Sequence, residues 1–433
     1  MKHTIMAPLT PIQVAPAIVL RISGDVTPIS KFFSATPKHR VATFCRYQSE
    51  RNPLITDDIL LTYFKAPNSY TGEDVLEISF HGNPLIVNTA MADFADNGVR
   101  LADRGEFTQR AFINGKLTLA QSEGVNALIH SHTAAGVHAA ANTLHGGLDA
   151  IFSHVRSSLV ELLAKLEAAI DFSEELYELD SSHSVEPIVK ALTDLLANYH
   201  QAQRALHGVK VVIAGAPNAG KSTLFNILLS QDRAIVSDEA GTTRDTLSEQ
   251  AHSGGVTFAL TDTAGVRETS SQSEAAGVKR AVSAIESADL LLIIIDLSTP
   301  LSSDSGALLH NTVARERIII GNKSDMPKVA EVDTDVQISS KALIGIEELK
   351  DLITAKVQKL LPAQIELSLT SESQRLDCET ALHELKTIQA EDLPLDLQAY
   401  HIRAALRSLD SLQGSDITEE TLTKLFSSFC IGK

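Results

Sequence analysis

The sequence predicts a multidomain protein in which an α+β segment precedes a helical domain that is split by an inserted α/β domain. Residues 1–116 alternate apolar strands with helix-like stretches. Residues 117–207 and 362–433 have a helical texture, whereas residues 208–361 alternate strand and helix. Because two acidic helical blocks flank one α/β block, we expect a single helical domain with an insert whose ends lie close together.

Short apolar runs justify each assignment in order along the chain. The N-terminal segment contains the strands "AIVLRIS" and "DVLEISF" and the helix-like stretch "LIVNTAMADFADNG". The first helical block contains "SSLVELLAKLEAAIDF", whose spacing predicts one apolar helical face. The residues on that face are Leu159, Leu162, Leu163, Leu166 and Ile170.

The insert has the pattern of a doubly wound parallel sheet. Its predicted strands are "VKVVIAG", "VTFALTD", "LLLIIID" and "RIIIGNKSD", separated by helical or loop stretches. Beyond residue 362, "SQRLDCETALHELKTI" and "LQAYHIRAALRSLDSL" return to helical spacing.

Charge is unevenly distributed along the chain. The net charge is −17, yet residues 1–116 hold 12 Lys and Arg against 11 Asp and Glu. The other three segments all carry an acidic excess, the largest ratio being 4 against 11 over residues 117–207. Since phosphate-rich partners need local positive charge, any nucleic acid is expected to bind locally or with a partner's help.

The three cysteines argue against a disulfide framework and against a C-x-x-C metal site. Cys45, Cys378 and Cys430 are far apart and odd in number. We therefore expect a reducing, cytoplasmic location. The longest apolar run, Leu290 to Ile295, is too short to span a bilayer, so no membrane partner is expected.

The stretch "GAPNAGKS", Gly215 to Ser222, fits the P-loop pattern G-x-x-x-x-G-K-[ST]. It follows the strand "VKVVIA" and precedes the helical stretch "TLFNILL", which is the context that the motif requires. Backbone N–H groups of such a loop wrap phosphates, Lys221 reaches the β and γ oxygens, and Ser222 can ligate Mg²⁺.

Three further motifs follow in the order expected of a guanine-nucleotide site. "DTAG" at 262–265 ends a strand and places Asp262 near the metal. "NKSD" at 322–325 supplies Asp325, which can accept two hydrogen bonds from guanine, a pair that adenine cannot donate. "SSK" at 339–341 fits the loop over the base. The sequence therefore predicts binding of GTP and Mg²⁺.

The hydrolytic residue is not evident from these motifs. Many signalling GTPases follow "DTAG" with a Gln that orients water, whereas this chain has Val266. Another group must therefore supply charge and position the water.

The combination of "GAPNAGKS", "EAGTTRD" and "DTAGVRE" in an insert, with "FKAPNSYTGEDVLEISFHGNP" before it and a terminal "CIGK", resembles the MnmE or TrmE family of tRNA-modifying GTPases over nearly the whole chain. The resemblance implies a folate-binding and dimerising domain at 1–116, a helical domain at 117–207 and 362–433, and a Ras-like GTPase domain at 208–361. It also implies a homodimer and an FAD-dependent, MnmG-type partner.

The resemblance further implies chemistry on C5 of the wobble uridine, U34, of certain tRNAs. The product carries a carboxymethylaminomethyl or aminomethyl group, with the one-carbon unit from 5,10-methylenetetrahydrofolate, for which 5-formyl-tetrahydrofolate is an analogue. By the same resemblance, Arg21, Glu77, Lys116 and Lys433 bind folate. Relatives have a Gly-rich, Arg-containing loop before the first of these residues, whereas this chain has "LTPIQVAPA".

The resemblance fills the catalytic gap with a potassium ion in place of an arginine finger. It implies that K⁺ is held by Asn218, Ser237, Glu239 and Thr242. Thr243 joins Ser222 on Mg²⁺, Glu274 steers the water, and Lys221 contacts the phosphates as a catalytic residue. Arg244, Asp245 and Arg267 match switch residues that respond when two GTPase domains meet. Motifs and resemblance together assign GTP contacts to Asn218, Ala219, Gly220, Lys221, Ser222, Thr223, Ser237, Asp238, Glu239, Ala240, Gly241, Thr242, Thr243, Asp262, Thr263, Ala264, Gly265, Asn322, Lys323, Asp325, Ser339, Ser340 and Lys341.

Cys430 in the tail "FCIGK" is the candidate catalytic thiol, because nearby Lys433 can favour its thiolate. By resemblance it belongs at the folate and uridine site, as a nucleophile or a proton-transfer group. An inert tail is the alternative. A lipidated cysteine fits poorly, since Gly432 and Lys433 occupy positions that a prenylation box gives to other residues.

A ribosome-assembly GTPase that binds RNA without base chemistry is the alternative function, because such switches share "PNxGKS" and "GTTRD". Those proteins typically add a KH module or a second GTPase domain. After Pro362 the only glycines are Gly414 and Gly432, so a G-x-x-G loop cannot form there, and the sequence has no second P-loop.

Overall fold

The structure is a computed structural model that describes residues 3–171, 181–230, 248–253, 256–262, 282–312, 316–361, 365, 367–414 and 419–433. The chain divides into two compact units. Unit 1 comprises residues 1–126, 144–190 and 376–433, and unit 2 comprises residues 127–143 and 191–375. The predicted mixture of an α+β segment, helices and an α/β insert is confirmed.

Unit 1 contains a six-stranded sheet in the order β3-β4-β5-β2-β1-β6. The pairs along it are antiparallel except β1 with β6, which is parallel. The strands are β1 (Ile5–Pro8), β2 (Ala15–Ser23), β3 (Thr43–Gln48), β4 (Thr56–Phe64), β5 (Val75–Gly82) and β6 (Arg100–Leu101).

The described part of the chain contains α-helices in the N-terminal segment, in both helical stretches and in the α/β insert. They are α1 (Pro84–Asp96), α2 (Glu106–Ile113), α3 (Leu119–His130), α4 (Ala134–Leu144), α5 (Gly147–Asp171), α6 (Ser181–His207), α7 (Lys221–Ser230), α8 (Ser303–Asn311), α9 (Ile346–Leu360), α10 (Glu372–Ala390), α11 (Leu395–Gln413) and α12 (Glu419–Phe426).

Helix α1 covers one face of the N-terminal sheet. Asn83 caps it by accepting a hydrogen bond from the Leu85 N–H, and Pro84 suits the first turn because its missing N–H is not needed there. The buried residues Val87, Ala90 and Phe94 join the sheet's inward side chains in one core. The opposite face carries Arg21 and Glu77 together with a smaller apolar cluster of Ile5, Ala7 and Phe107.

Helices α5 and α11 pack together in unit 1, with ion pairs at their margins such as Arg156–Asp410 at 2.7 Å. Leu159, Leu162 and Leu166 are buried, as the spacing predicts. Ile170 is 40% exposed, so its predicted place on the buried face is wrong. The neighbouring Ala169 takes the buried position near the end of the helix instead.

Unit 2 contains a second six-stranded sheet in the order β12-β11-β10-β7-β9-β8. All its pairs are parallel except β8 with β9. The strands are β7 (Val209–Gly215), β8 (Ser248–Ser253), β9 (Val256–Asp262), β10 (Leu290–Asp296), β11 (Glu316–Asn322) and β12 (Val336–Gln337). The central β10 is buried on both faces, which explains its unbroken apolar run.

In the described part of the chain, each helix is either too short or too polar to cross a membrane.

Candidate functional site

The P-loop connects the carboxyl end of β7 to the start of α7. Gly215 ends the strand, and Lys221 begins the helix. Within the loop, Asn218 and Gly220 have positive φ values of 61° and 104°. Left-handed residues between right-handed ones turn successive N–H groups towards one side, which forms a concave anion-binding surface. The loop therefore has the backbone shape that a phosphate chain needs.

Lys221 is held at the mouth of this loop. Its side chain is only 7% exposed, and its ammonium group donates to the carbonyl oxygens of Gly215 at 3.1 Å and Ala216 at 2.8 Å. Ser222 and Thr223 are exposed in the first turn of α7, where free backbone N–H groups attract anions. The cation and the helix N-terminus thus favour the same anionic ligand.

Asn322 ties the P-loop to two other motifs. Its amide nitrogen donates to the Ala219 carbonyl at 2.8 Å, and its Oδ1 accepts from the N–H and the hydroxyl of Ser340 at 3.0 and 3.1 Å. Asn322 is 2% exposed and Ser340 is 6% exposed. The buried bonds fix the three predicted segments in one arrangement.

Asp325 is exposed to solvent in the segment that contains Asn322, and its carboxylate can accept hydrogen bonds from a ligand. A hydrogen bond from the Ser339 side chain, helped by its own backbone N–H, lowers the pKa of this carboxyl. Lys341 and Lys323 lower that pKa further through their charge. Asp325 is therefore ionised at neutral pH and oriented before any base arrives, which suits a pair of hydrogen bonds to guanine.

Asp296, at the carboxyl end of β10, is a site residue that the motif analysis missed. It accepts a hydrogen bond of 2.5 Å from the Lys323 ammonium. Burial opposes ionisation of Asp296, but bonds from Lys323 and Ser298 outweigh burial and lower its pKa. The sequence gives one indication of Asp296, because it directly follows the apolar run of a buried strand. The carboxyl ends of parallel strands meet at one edge of a sheet, where ligands bind.

The described residues thus bring together most of the predicted nucleotide contacts. These are Asn218, Ala219, Gly220, Lys221, Ser222, Thr223, Asn322, Lys323, Asp325, Ser339, Ser340 and Lys341. Asp262 ends β9, whose backbone pairs with β7. The remaining predicted residues lie outside the described residues: Ser237, Asp238, Glu239, Ala240, Gly241, Thr242, Thr243, Arg244, Asp245, Thr263, Ala264, Gly265, Arg267 and Glu274.

A second candidate site lies in unit 1, on the face of the N-terminal sheet away from α1. Arg21 on β2 and Glu77 on β5 are directly opposite in register. The guanidinium donates two hydrogen bonds to Glu77 Oε1, at 2.9 Å from Nε and 2.8 Å from Nη2. It also lies 5.0 Å from the ring centre of Tyr70 and 5.7 Å from that of Phe107.

One nitrogen of this guanidinium has no hydrogen-bond acceptor. Arg21 is only 9% exposed, and its Nη1 is buried without a partner among the described residues. Buried donors are nearly always satisfied, so an orphan indicates an acceptor that the protein itself does not supply. The site therefore fits a ligand with an acceptor atom beside Glu77.

The chain's tail reaches this arginine. The Phe107 N–H donates to the Lys433 carbonyl at 3.1 Å, and the Gly105 N–H donates to the Cys430 carbonyl at 3.4 Å. Gly432 has a φ of 93°, and a Cβ there would lie 2.5 Å from the Pro8 carbonyl oxygen, so only glycine lets the tail pass β1.

Lys433 is electrostatically part of the same cluster. Burial is the main cause that lowers the pKa of its ammonium group, and the charge of Arg21 lowers it further. Glu77 and Cys430 act in the opposite direction. The backbone contacts of the tail bring it to Phe107, whose ring lies 5.7 Å from the Arg21 guanidinium.

Lys116 lies beside a loop that leads into β5. It is exposed, and its Cγ would lie 3.2 Å from a Cβ on Gly72. Asn114 donates to the Thr71 carbonyl at 2.6 Å and anchors the same loop. Tyr70 in this loop and Phe107 on α2 are contacts of Arg21 that sequence reasoning missed, because nothing in a single sequence shows which rings a guanidinium will stack upon.

Two family models match the chain. Residues 4–116 match the family described as the GTP-binding protein TrmE N-terminus, and residues 119–430 match the MnmE helical domain family. Among solved structures, Era from Aquifex aeolicus is 22% identical over 43% of this chain and 69% of that chain, with a TM-score of 0.26.

Full-length relatives named tRNA modification GTPase MnmE occur in distant bacteria. The protein of Acholeplasma laidlawii is 35% identical over all of this chain and 99% of its own length. The protein of Aquifex aeolicus is 35% identical over the full length of both, and that of Acinetobacter baylyi is 36% identical over all of this chain and 97% of its own length. The chain therefore belongs to the MnmE family of tRNA modification GTPases.

Proposed function

We propose that this protein hydrolyses GTP as one component of the enzyme that modifies C5 of the wobble uridine, U34, in tRNA. The observation that carries the proposal is the course of the Cys430–Lys433 tail past Phe107, whose ring contacts the Arg21 guanidinium that is paired with Glu77. A reactive thiol, an ammonium group and an unsatisfied guanidinium nitrogen form a polar site for a small anionic reactant. Membership of the family supports assigning that site to tRNA modification.

In the nucleotide site, the P-loop and Lys221 hold the phosphates of GTP, and Asp325 selects guanine. Ser222 and Thr243 are the proposed ligands of Mg²⁺. Asn218, Ser237, Glu239 and Thr242 are the proposed ligands of K⁺, which supplies the positive charge that an arginine finger supplies elsewhere. Glu274 orients the attacking water, and Arg244, Asp245 and Arg267 respond when two GTPase domains meet.

In the N-terminal site, a methylene-tetrahydrofolate supplies the one-carbon unit when bound. Arg21 offers its free Nη1 to an acceptor on that molecule, and Glu77 accepts hydrogen bonds from the pterin ring. Lys116 and Lys433 attract the carboxylates of the glutamate tail. Cys430 serves as a nucleophile or moves a proton at the uridine. A homodimer and an FAD-dependent, MnmG-type partner complete the proposed assembly.

Mass spectrometry of tRNA nucleosides from a deletion strain tests the function. We expect C5-modified wobble uridine to disappear in the deletion, to return with the wild-type protein and to stay absent with Cys430→Ser. Ser427→Ala, which removes an exposed hydroxyl from the same tail, is the matched control and should rescue fully. Unchanged modification in the deletion strain would exclude the proposal, and would favour a ribosome-assembly switch instead.

The potassium assignment has a separate test. GTP turnover is measured in KCl and in NaCl at equal ionic strength, with wild type and with Asn218→Ala. We expect faster turnover in KCl for wild type and loss of that difference in the variant. Equal rates in both salts for wild type would remove K⁺ from the mechanism while leaving the GTP site intact.

A further inference from the structure

Several exposed cations of the N-terminal segment are neutralised by a carboxylate. A pair of this kind has little net field beyond its own neighbourhood, because the two charges cancel within a few ångströms. The pairs are Lys31–Glu50 at 2.7 Å, Arg46–Asp58 at 3.0 Å and Arg51–Asp96 at 2.7 Å.

One group of cations departs from this pattern. Residues 38–40 run beside the end of β4, where His39 forms a bridge to Tyr63 and the Arg40 N–H donates to the Tyr63 carbonyl at 2.8 Å. The Lys65 N–H donates to Nδ1 of His39 at 3.0 Å. These contacts bring Lys38, His39, Arg40 and Lys65, all exposed, to one end of the sheet. We name these four residues the basic edge.

The basic edge has a carboxylate beside it but forms no ion pair among the described residues: Asp74 accepts a hydrogen bond of 2.8 Å from the Ala66 N–H, next to Lys65. Within the described part of the chain, no carboxylate oxygen lies within 4 Å of a side-chain nitrogen of Lys38, Arg40 or Lys65. Arg40 instead makes a 3.4 Å contact from Nη2 to the Asn68 carbonyl. Since Nδ1 of His39 accepts a hydrogen bond, its ring proton sits on Nε2, which remains available as a donor. The edge therefore presents positive charge and donors to solvent.

An exposed aromatic ring lies close to the basic edge along the chain. Phe44 is 69% exposed on β3, the strand next to β4 at the rim of the sheet. Val41, between this ring and the cations, is 49% exposed. Proteins that hold single-stranded nucleic acid combine a cationic track with aromatic side chains on which bases stack. Exposed cations and an exposed aromatic ring thus lie at one rim of the sheet.

The basic edge also borders the candidate site at Arg21. Tyr70 follows Lys65 by five positions, which is at most about 18 Å of extended chain. Tyr70 is the residue whose ring lies under the Arg21 guanidinium. A strand of RNA held at the basic edge can therefore reach the Arg21–Glu77 pair with one of its bases.

We propose that the basic edge binds the sugar-phosphate backbone of the tRNA beside its wobble uridine, with Phe44 stacking on a neighbouring base. The proposal rests on the proposed function. The tRNA is a polyanion, yet the chain that binds it has a net charge of −17, so the two repel each other overall. Residues 1–116 are the one segment without an acidic excess, and the basic edge lies in that segment. Cations of that segment that form no ion pair are where RNA binds at least electrostatic cost, and the basic edge brings three of them, Lys38, Arg40 and Lys65, to one end of the sheet.

Two triple variants with the same loss of charge test the proposal. Lys38→Ala, Arg40→Ala and Lys65→Ala together remove the basic edge. Lys31→Ala, Arg46→Ala and Arg51→Ala together remove three cations that carboxylates already neutralise. Affinity of the full-length protein for an unmodified tRNA transcript with uridine at the wobble position is measured over a series of salt concentrations.

We expect the basic-edge variant to bind at least 10-fold more weakly near 0.1 M salt. The slope of log affinity against log salt should fall by about 2 to 3, since each lost phosphate contact removes about 0.7 to 0.9. The control variant should keep most of the affinity and the slope, and GTP turnover should be unchanged in both. Phe44→Ala, at an exposed position, should weaken binding with no change in slope.

The outcomes separate this proposal from the proposed function. If both triple variants lose the same affinity, or if Phe44→Ala has no effect, the basic edge is not the RNA site. Binding of the basic edge to vesicles of anionic lipid with no loss of tRNA affinity in the variant would also overturn it. In the deletion strain, full rescue by the basic-edge variant overturns the edge alone, whereas unchanged modification without any protein overturns the proposed function.

Discussion

The side-chain amide of Asn322 donates a hydrogen bond of 2.8 Å to the carbonyl of Ala219, which joins the end of β11 to the P-loop. Both residues are almost fully buried, at 2% and 1% exposure. A buried bond of this kind is expensive to break, because each partner is left unsatisfied. The phosphate-binding loop and the base-binding loops therefore hold their shape as one unit.

Replacing Gly220 with alanine should disrupt the hydrogen bond between Asn322 and Ala219 and the loop shape that it holds. A Cβ on Gly220 would lie 2.2 Å from Nδ2 of Asn322, and the φ of 104° strains any side chain. Strain of about 1 to 3 kcal/mol corresponds to a loss of roughly 5- to 150-fold in affinity if it falls on the bound state. We expect a titration with a fluorescent GTP analogue to show weakening of this order.

Gly306→Ala is the matched control in the same domain. Gly306 lies in α8, and an added Cβ meets nothing within 4 Å. Alanine is favoured over glycine inside a helix by up to about 1 kcal/mol. This variant should bind the analogue like wild type and unfold at a slightly higher temperature. A Gly220→Ala protein with normal affinity would show that the Asn322 contact does not shape the loop.

Much of the nucleotide site could be predicted because its motifs are local. Gly215, Lys221, Asn322 and Asp325 each lie at the carboxyl end of an apolar strand or just beyond it, and parallel strands bring those ends together. The bond between Asn322 and Ala219 could not be read from the sequence, since the two residues are 103 positions apart and meet only through the order of the strands.

The N-terminal site was less predictable for a physical reason. Arg21 and Glu77 were expected to share a ligand. Their hydrogen bonds to each other could not be predicted, because those bonds depend on the register of β2 against β5. A slip of one residue would place the two side chains on opposite faces of the sheet. The rings under Arg21 and the course of the tail past Pro8 are likewise products of tertiary packing.

The three thiols should differ sharply in reactivity towards iodoacetamide. Cys45 is 4% exposed and Cys378 is fully buried, and burial raises the pKa of both thiols. For Cys378 the pKa rises to about 12, with Asp377 and Glu379 contributing. Because the thiolate is the nucleophile, Cys430, which is partly exposed, should be alkylated first at pH 8.

Peptide mass spectrometry over a time course measures this order in the native protein. In urea, which removes burial, the three cysteines should react at similar rates. Native Cys378 that reacts as fast as Cys430 would contradict the full burial of this thiol in α10.

Lys433→Met should stabilise the protein at neutral pH. Burial and the charge of Arg21 lower the pKa of Lys433 from its ordinary value of 10.5. The folded state thus disfavours the protonated form of Lys433. At pH values below the pKa that Lys433 has in the folded state, its charge therefore lowers the free energy of unfolding. This loss of stability fades as the pH rises from that pKa towards 10.5. The stability gained by the methionine variant should therefore shrink over the same range.

Urea unfolding at pH 7, 9 and 10.5 measures this difference in unfolding free energy. Lys424→Met, which removes an exposed lysine from α12, controls for the loss of a surface charge. A methionine variant that is less stable than wild type at pH 7 would show that Lys433 is stabilised by its neighbours rather than penalised by burial.

The Arg21–Glu77 pair should be coupled more strongly than a similar pair in the same sheet. Arg46 and Asp58 are also directly opposite on neighbouring strands and bond at 3.0 Å, but their side chains are 63% and 45% exposed. The Arg21 and Glu77 side chains are 11% and 28% exposed. Water screens the outer pair, whereas removing Glu77 leaves a buried guanidinium with no anion beside it.

Double-mutant cycles in unfolding free energy compare the two pairs directly. Arg21→Met with Glu77→Gln should give a coupling of about 1 to 3 kcal/mol, and Arg46→Met with Asp58→Asn should give less than about 1 kcal/mol. The single variant Glu77→Gln should also be less stable than the double variant, since the double variant no longer buries an unpaired cation. Equal coupling in the two cycles would mean that water reaches Arg21 freely, and the orphan Nη1 would then no longer point to a ligand.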